Sequence, residues 1–372
     1  MSSWFRMIVC IFALTTGFTA YGQDAAKINS TKVSSDQWNS TVQKAVSYLR
    51  SQGQADDGSY SKQSSIGVTA LVVTGLLNVG VSPDDPVVSK SLDYLLSFRQ
   101  PDGGIYLKDS KHTNYETSLV LMALAKANRQ GKHDATIAAA TKYVKQMQWD
   151  ETEEKNKEDM NYGGAGYGSK SRPDLSNTGF MIDALKSVGT SENDEAIQKA
   201  LFFVSRCQNL DTPANTTPFA KLVNDGGFYY TPAAGGESFA GKEANGGLRS
   251  YGSMTYAGLK SMIFAGVKKD DPRVVGAIKF LKSHYSVTSN PGMGTSGLFY
   301  YYHTMAKALD ALGNDEFVAD DGAHAWRSEI FAQLQKFQSA NGSFVNPDTR
   351  WLEGDANLVT GYALLTLAYL KP

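Results

Sequence analysis

The stretch LQKFQSANGSF (334–344) and the apolar run TGYALLTL (360–367) that follows it decide the fold. An amphipathic segment ends at Gln338, a glycine-rich turn carries an aromatic residue at Phe344, and Thr360 opens a run that is apolar on every face. A helix that is apolar all round must be buried on all sides, whereas an amphipathic helix faces solvent on one side. The stretch therefore predicts a hairpin of one outer and one inner helix.

The same sequence motif, an amphipathic segment, a glycine-rich turn and an apolar run, occurs six times along the chain. The threonines that open the apolar runs are Thr69, Thr117, Thr178, Thr255, Thr304 and Thr360. The residues that end the preceding amphipathic segments are Gln52, Gln100, Gln148, Gln208, His284 and Gln338, so only the fifth copy lacks the glutamine. Six such hairpins predict an all-α fold, an (α/α)6 toroid of six inner and six outer helices with long Gly-rich loops. An open superhelical solenoid is the alternative. Closure is favoured because the last inner helix is fully apolar and has no polar capping repeat to cover it.

The first residues have the layout of a secretory signal peptide. Arg6 precedes the apolar run 7–14, and the small-residue triplet 20–22 resembles a cleavage site. The apolar run is shorter than the roughly 20 residues that a membrane-spanning helix needs, although a retained anchor is the alternative. We therefore predict a signal peptide over 1–22, a flexible segment over 23–35, one toroid over 36–372, and export to a periplasmic, extracellular or secretory compartment.

Charge and cysteine content narrow the class of partner. The formal net charge is −1, and no concentrated basic segment predicts nucleic-acid binding. Only Cys207 remains once the signal peptide is removed, so the exported chain has no internal disulfide. No further apolar run predicts an integral membrane segment, and no motif predicts a cofactor. An apolar small-molecule ligand is compatible with this composition, and the sequence does not identify a protein partner.

The repeated glutamine followed by Gly-x-aromatic resembles the QW-type repeat of squalene and oxidosqualene cyclases. Those enzymes share an α/α toroid with the β-subunits of protein prenyltransferases. The resemblance covers residues 36–372 and implies the toroid, with the glutamines closing outer-helix ends by hydrogen bonding to free backbone groups.

The third copy resembles the cyclases more closely. The loop YGGAGY (162–167) and the segment RPDLSNT (172–178) stand where squalene–hopene cyclases carry a glycine-rich loop and the acid motif Asp-x-Asp-Asp-Thr. Asp174 and Thr178 match the motif, whereas Ser176 stands at the central position, which holds the family's proton donor, and Asn177 stands at the third acid. A hydroxyl and an amide cannot protonate an alkene. The chain is therefore expected to lack alkene protonation of the cyclase type, and Asp174 is interpreted as a helix cap.

The fifth copy resembles the prenyltransferases. Tyr302-His303-Thr304 is similar to the segment that supplies their zinc-binding histidine, at the opening of an inner helix. The preceding copy, SYGSMT (250–255), lacks the aspartate and cysteine that such a site needs. No metal site is therefore predicted, and His303 is interpreted as a polar residue at the cavity mouth.

Residues just before each repeat threonine should rim one end of the central cavity. The predicted ligand-binding residues are Tyr115, Asn177, Tyr251, Tyr300, Tyr302 and Asp355, and the candidate catalytic residues are Glu116, Asp174 and His303. This set is rich in tyrosine and poor in charge, which suits an apolar or isoprenoid-like ligand. The aromatics could equally plug the ring.

Two further hypotheses remain open. A carbohydrate-active or carbohydrate-binding toroid would need two of Glu116, Asp174 and Asp355 at glycosidase spacing. A non-enzymatic interaction module would use the long aromatic loop 211–249, which is also a candidate lid.

Overall fold

The computed structural model describes residues 32–372, and the predicted signal peptide lies outside the described residues. Within this range six outer helices alternate with six inner helices along the chain. The outer helices are α1 (Ser35–Tyr48), α3 (Pro86–Leu96), α5 (Asp134–Gln146), α7 (Glu195–Arg206), α10 (Pro272–Ser283) and α12 (Trp326–Phe337). The inner helices are α2 (Ile66–Asn78), α4 (Thr113–Ala127), α6 (Leu175–Ser187), α9 (Gly252–Phe264), α11 (Leu298–Leu312) and α13 (Ala356–Leu367). A short helix α8 (Ala220–Val223) and a hairpin of β1 (Phe317–Ala319) and β2 (Gly322–His324) lie in the connections.

The inner helices form a closed ring. Each packs against the next in chain order, and α13 packs against α2. The closure is tight because both helices carry a glycine at the contact: a Cβ on Gly75 would lie 3.0 Å from the Cβ of Leu364. The Trp38 indole of α1 also donates to the carbonyl of Leu367, 2.9 Å away. The predicted toroid is therefore confirmed.

The repeat threonines hold the glycine-rich turns onto the inner helices. In five of the six units the hydroxyl accepts a 2.9–3.0 Å hydrogen bond from a backbone N–H of the turn. The N–H groups belong to Tyr60, Ile105, Ala165, Phe228 and Phe344. These N–H groups are buried, and a buried donor without a partner is costly. The threonines recur because each one satisfies such a donor.

Three repeat glutamines, Gln148, Gln208 and Gln338, join neighbouring units, whereas Gln100 donates only to carbonyls of its own unit. Gln148 donates to the carbonyl of Gly163 in its own turn and to that of Ala196 in the next outer helix, at 2.8 and 2.9 Å. In the first unit this role falls to Gln54 and not to the predicted Gln52, because α1 continues as a π-helical turn over Leu49–Gly53. The extra turn displaces the bridging position by two residues.

The turn glycines allow this close approach. Gly163 has a φ of +82°, and a Cβ there would overlap the carbonyl of Lys199 in the next outer helix. Gly342 has a φ of +93° and meets the carbonyl of Lys44 in the same way. Only glycine adopts this backbone conformation readily and also leaves the space.

The fifth unit departs from the predicted pattern. Its Gly-Leu-Phe segment is not a turn, because Gly297 caps α11 and Phe299 already lies in the helix. The backbone N–H of Phe299 donates to the Glu353 carboxylate at 3.0 Å, while the Thr304 hydroxyl donates to the carbonyl of Tyr301 in its own helix. Thr304 is therefore the one repeat threonine in the described chain that holds no turn.

This difference supplies a matched test of the repeat. Thr360→Val should lower the free energy of unfolding by about 1–3 kcal/mol, because the N–H of Phe344 would lose its buried acceptor. Thr304→Val removes a hydroxyl that satisfies no turn donor, and should cost at most about 1 kcal/mol. Urea denaturation of the two variants measures both. Equal losses would contradict the role assigned to the threonines.

Candidate functional site

The N-terminal ends of the six inner helices surround a cavity of about 370 Å³, which we call the loop-side cavity. Its wall is mainly aromatic. The aromatic side chains are His112, Tyr115, Tyr167, Phe180, Tyr230, Phe239, Tyr251, Tyr300, Trp351 and Tyr362. A concave, largely apolar cavity of this size is typical of a small-molecule site.

Aromatic contacts continue around the cavity. The ring of Tyr115 lies 5.5 Å from that of Phe180 in an edge-to-face arrangement, and Tyr300 meets Tyr362 at 6.0 Å. At the mouth, Phe239 of the 211–249 loop lies 5.5 Å from Trp351. These contacts fix the rings without filling the space between them. The loop named as a candidate lid therefore supplies part of the cavity wall.

The polar groups in the wall of the loop-side cavity are serine and tyrosine hydroxyls, the His112 imidazole and one carboxylate. The hydroxyls of Ser176 and Tyr300 are hydrogen-bonded at 3.0 Å. Burial raises the pKa of Tyr115 and Tyr300, so both remain neutral phenols at physiological pH. Ser176, which the sequence resemblance aligns with the cyclases' central acid, presents only a hydroxyl to the cavity.

Glu353 is the carboxylate in the cavity wall, and it was not among the residues predicted from the sequence. It is 1% exposed and accepts hydrogen bonds from the backbone N–H groups of Phe299 and Tyr300 and from Asn346. Burial raises its pKa, and these donors oppose the rise. A carboxylate at a helix N-terminus compensates the free N–H groups. Glu353 thus caps α11 from a different unit, which no local sequence pattern predicts.

The three carboxylates of the carbohydrate hypothesis have separate partners. Glu116 accepts from the Ser65 hydroxyl at 2.8 Å and from the N–H of Leu107 at 3.0 Å, and burial raises its pKa. Asp355 caps α13 by accepting from the N–H groups of Asn357 and Leu358. Neither carboxylate lines the loop-side cavity.

Asp174 caps α6, as its interpretation from the sequence proposed. It accepts from the backbone N–H of Asn177 at 2.8 Å and from that residue's side-chain amide at 2.7 Å. Burial raises the pKa of Asp174 to about 6, and the hydrogen bonds from Asn177 and Tyr230 oppose the rise. Asp174 and Asn177 both lie behind the cavity wall and do not line it.

The predicted tyrosines and His303 divide into two groups. Tyr115, Tyr251 and Tyr300 line the loop-side cavity. Tyr302 requires a correction: it is fully buried on another face of α11 and donates to the carbonyl of Val287 at 2.7 Å. His303 requires one as well, because α11 begins at Leu298 and places this residue in the second turn, beyond the mouth.

His303 lines a second cavity of about 360 Å³ at the C-terminal ends of the inner helices, which we call the far-end cavity. Burial lowers the pKa of His303 to about 3, so the imidazole is neutral. In residues 32–372 no three His, Cys, Asp or Glu side chains are grouped closely enough to hold a metal ion. Phe180 lines both cavities and stands between them.

A buried ionic cluster adjoins the far-end cavity. Asp183 lies 2.8 Å from the ammonium groups of both Lys260 and Lys307, and all three side chains are largely buried. Sequence reasoning missed this cluster. The available signal was a charged residue inside the apolar sequence of each of three inner helices, namely Asp183 in α6, Lys260 in α9 and Lys307 in α11.

Comparison with known proteins identifies related folds. Residues 48–221 match the family model of the squalene-hopene cyclase C-terminal domain. The type II terpene cyclase MstE from Scytonema, solved with merosterolic acid A as product, superposes with a TM-score of 0.59 at 13% identity, covering 91% of this chain and 98% of that one. The same enzyme bound to geranylgeranyl dihydroxybenzoate as substrate gives a TM-score of 0.55 at 11% identity, covering 91% of this chain and 98% of the other.

Carbohydrate-active enzymes have the same fold. The GH76 α-mannanase BT2949 from Bacteroides thetaiotaomicron superposes with a TM-score of 0.56 at 13% identity, covering 90% of this chain and 96% of the other. No curated protein matches the sequence significantly. No helix in the described part of the chain combines the length and hydropathy of a membrane span. At these identities the structural matches establish the fold alone.

Proposed function

We propose that this chain, a terpenoid cyclase-like α/α toroid protein, binds an isoprenoid-like ligand in its loop-side cavity without protonating it. The aromatic wall carries the proposal. Buried aromatic surface favours an apolar chain, and the negative faces of the rings also attract the polarised C–H groups of an unsaturated ligand. Export through the predicted signal peptide is part of the same proposal.

The absence of proton-initiated chemistry rests on Ser176 and Asp174. Ser176 stands where the cyclases carry their acid, and its hydroxyl is engaged with Tyr300. Asp174 lies behind the wall and its pKa is raised to about 6, which makes it a weaker acid than a free aspartate. Alkene protonation needs a stronger acid in contact with the ligand.

The carbohydrate alternative has less support from the site. Glycosidic cleavage needs two carboxylates on opposite sides of one bond. The three candidate carboxylates have structural roles on different inner helices: Asp174 and Asp355 cap α6 and α13, and Glu116 of α4 accepts from Ser65. None of the three lines the loop-side cavity. Glu353 does line it, although its carboxylate is occupied by backbone N–H groups of α11.

Binding can be measured with farnesol as the probe. Trp351 lines the cavity mouth and is 43% exposed, so its fluorescence should change saturably on addition of farnesol. Val68→Phe, which inserts a ring into the cavity wall, should weaken binding at least about tenfold, or about 1.4 kcal/mol. Val318→Phe is the matched control, because Val318 is exposed on the β1–β2 hairpin and should leave binding unchanged.

The outcomes separate binding from catalysis. Two results would contradict the proposed ligand site. One is that farnesol leaves the Trp351 fluorescence unchanged, and the other is that it binds Val68→Phe and wild type with equal affinity. Trp351→Phe identifies the signal among the other tryptophans. Gas chromatography of the recovered probe should show unchanged farnesol, and a cyclised product would overturn the non-catalytic part of the proposal.

A further inference from the structure

The ionic cluster beside the far-end cavity carries an excess of positive charge. One carboxylate, Asp183, faces the two ammonium groups of Lys260 and Lys307. Lys260 is 4% exposed, and its other hydrogen-bond acceptor is the carbonyl of Gly179. The ring of Phe264 lies 5.9 Å from the Lys260 ammonium and 5.4 Å from that of Lys307. This ring compensates the second cation only in part, since a cation–π contact is weaker than an ion pair.

His303 provides an independent sign of a missing partner. The side chain is 6% exposed, and its Nδ1 is buried without a hydrogen-bond partner. A neutral imidazole carries one N–H donor and one acceptor, and a buried polar atom normally has a partner. Asp183, His303 and Lys307 together line the far-end cavity and a water-sized gap next to it.

The remaining wall of the far-end cavity is apolar along the helices and basic at the rim. Leu71, Leu119, Met122 and Leu365 of the inner helices α2, α4 and α13 supply apolar side chains to this wall. Lys126 and Lys186 lie in the last turns of α4 and α6. These two rim lysines compensate the negative C-terminal ends of their own helices. The positive charge that lacks a partner is therefore not at the rim. It belongs to the buried pair Lys260 and Lys307, which share one carboxylate.

We infer that the far-end cavity is a second binding site, which takes an amphipathic anion. The carboxylate or phosphate head lies against Lys307 and His303, and a short apolar chain lies along the leucines of the inner helices. The anion neutralises the second buried ammonium and lies beside the His303 imidazole. A free inorganic ion leaves most of the 360 Å³ unfilled, so a head with an apolar chain fits better. This site is independent of the ligand proposed for the loop-side cavity.

Isothermal titration with probes of one chain length tests the head group. Octanoate and octyl phosphate should bind with 1:1 stoichiometry, and 1-octanol should bind at least about tenfold more weakly because it lacks the charge. The tighter of the two anions identifies the preferred head. Inorganic phosphate alone should bind more weakly than octyl phosphate. Equal affinity for octanol and the two anions would overturn the inference.

Lys307→Gln tests the residue. Glutamine keeps a donor for Asp183 and removes the excess charge, so octanoate affinity should fall at least about tenfold. Lys145→Gln is the matched control, because Lys145 pairs with Asp194 between outer units and should leave affinity unchanged. Unchanged affinity in Lys307→Gln would contradict the site.

A measurement on the wild-type protein locates the ligand without relying on a variant. In ¹⁵N-histidine spectra, octanoate should shift the ring resonances of His303 while leaving Trp351 fluorescence unchanged. Farnesol should do the reverse. A change at Trp351 with no change at His303 would place octanoate in the loop-side cavity and overturn the second site. Because each cavity has its own reporter, either proposal can fail without the other.

Discussion

Replacing Asp183 with asparagine should lower the free energy of unfolding by about 3–5 kcal/mol, the largest loss that we expect from an isosteric change in this chain. The carboxylate pairs at 2.8 Å with both Lys260 and Lys307 inside the ring. An amide cannot balance either ammonium, so both lysines would be buried as charges or forced to lose a proton. The adjacent lysines keep the pKa of Asp183 below its ordinary value despite its burial, which shows that the folded ring favours the ionised carboxylate. Urea denaturation at pH 7 measures the loss.

A companion variant separates charge from shape. Asp183→Leu combined with Lys260→Met and Lys307→Met removes the whole cluster and keeps similar volumes. We expect its free energy of unfolding to lie within about 2 kcal/mol of wild type, because apolar replacement of a complete buried ion cluster is often neutral or stabilising. Two results would contradict the electrostatic explanation: a small effect of Asp183→Asn, or an equal loss in both variants.

The ring is predictable from the sequence because its repeat threonines form the same hydrogen bond in five of the six units. Thr69, Thr117 and Thr360 all accept from a turn N–H, so the pattern recurs in the sequence as it does in space. The pattern fails where the local backbone changes. A π-helical turn moves the bridging glutamine from Gln52 to Gln54.

The cavity is predictable only in the part that the repeat controls. Tyr115 and Tyr300 are found at the wall because each lies in the first turn of an inner helix. Trp351 and Phe239 come from irregular loops, where no periodicity indicates which side chain faces inward. Asp183, Lys260 and Lys307 lie on three different helices, so their pairing depends on the order and rotation of those helices in the closed ring.

Asp174 should make the folded chain less stable as the pH rises from about 4 to about 6. Its pKa is raised by burial to about 6 in the folded chain, against an ordinary value near 3.8, so the folded state binds this proton more tightly than the unfolded state does. The free energy of unfolding therefore falls across that interval and levels off above it. The full difference corresponds to about 3 kcal/mol for a side chain that is 2% exposed.

Asp174→Asn isolates this effect, because other carboxyls titrate in the same range and cancel when wild type and variant are compared. The asparagine oxygen can still accept from the backbone N–H of Asn177. Its amide can donate to the Asn177 side-chain oxygen once the Asn177 amide, which donates to Asp174 in the wild-type chain, rotates by a half-turn. Relative to wild type, the free energy of unfolding of Asp174→Asn should rise by up to about 3 kcal/mol between pH 4 and pH 7.

Asp174→Ala should show the same rise with pH relative to wild type, and its free energy of unfolding should be lower at every pH by about 1 kcal/mol because the helix cap is lost. Denaturation of the three proteins at successive pH values measures both quantities. A pH-independent difference in the free energy of unfolding between wild type and Asp174→Asn would contradict the raised pKa. Asp174 would then be a charged helix cap that stays ionised over this pH range.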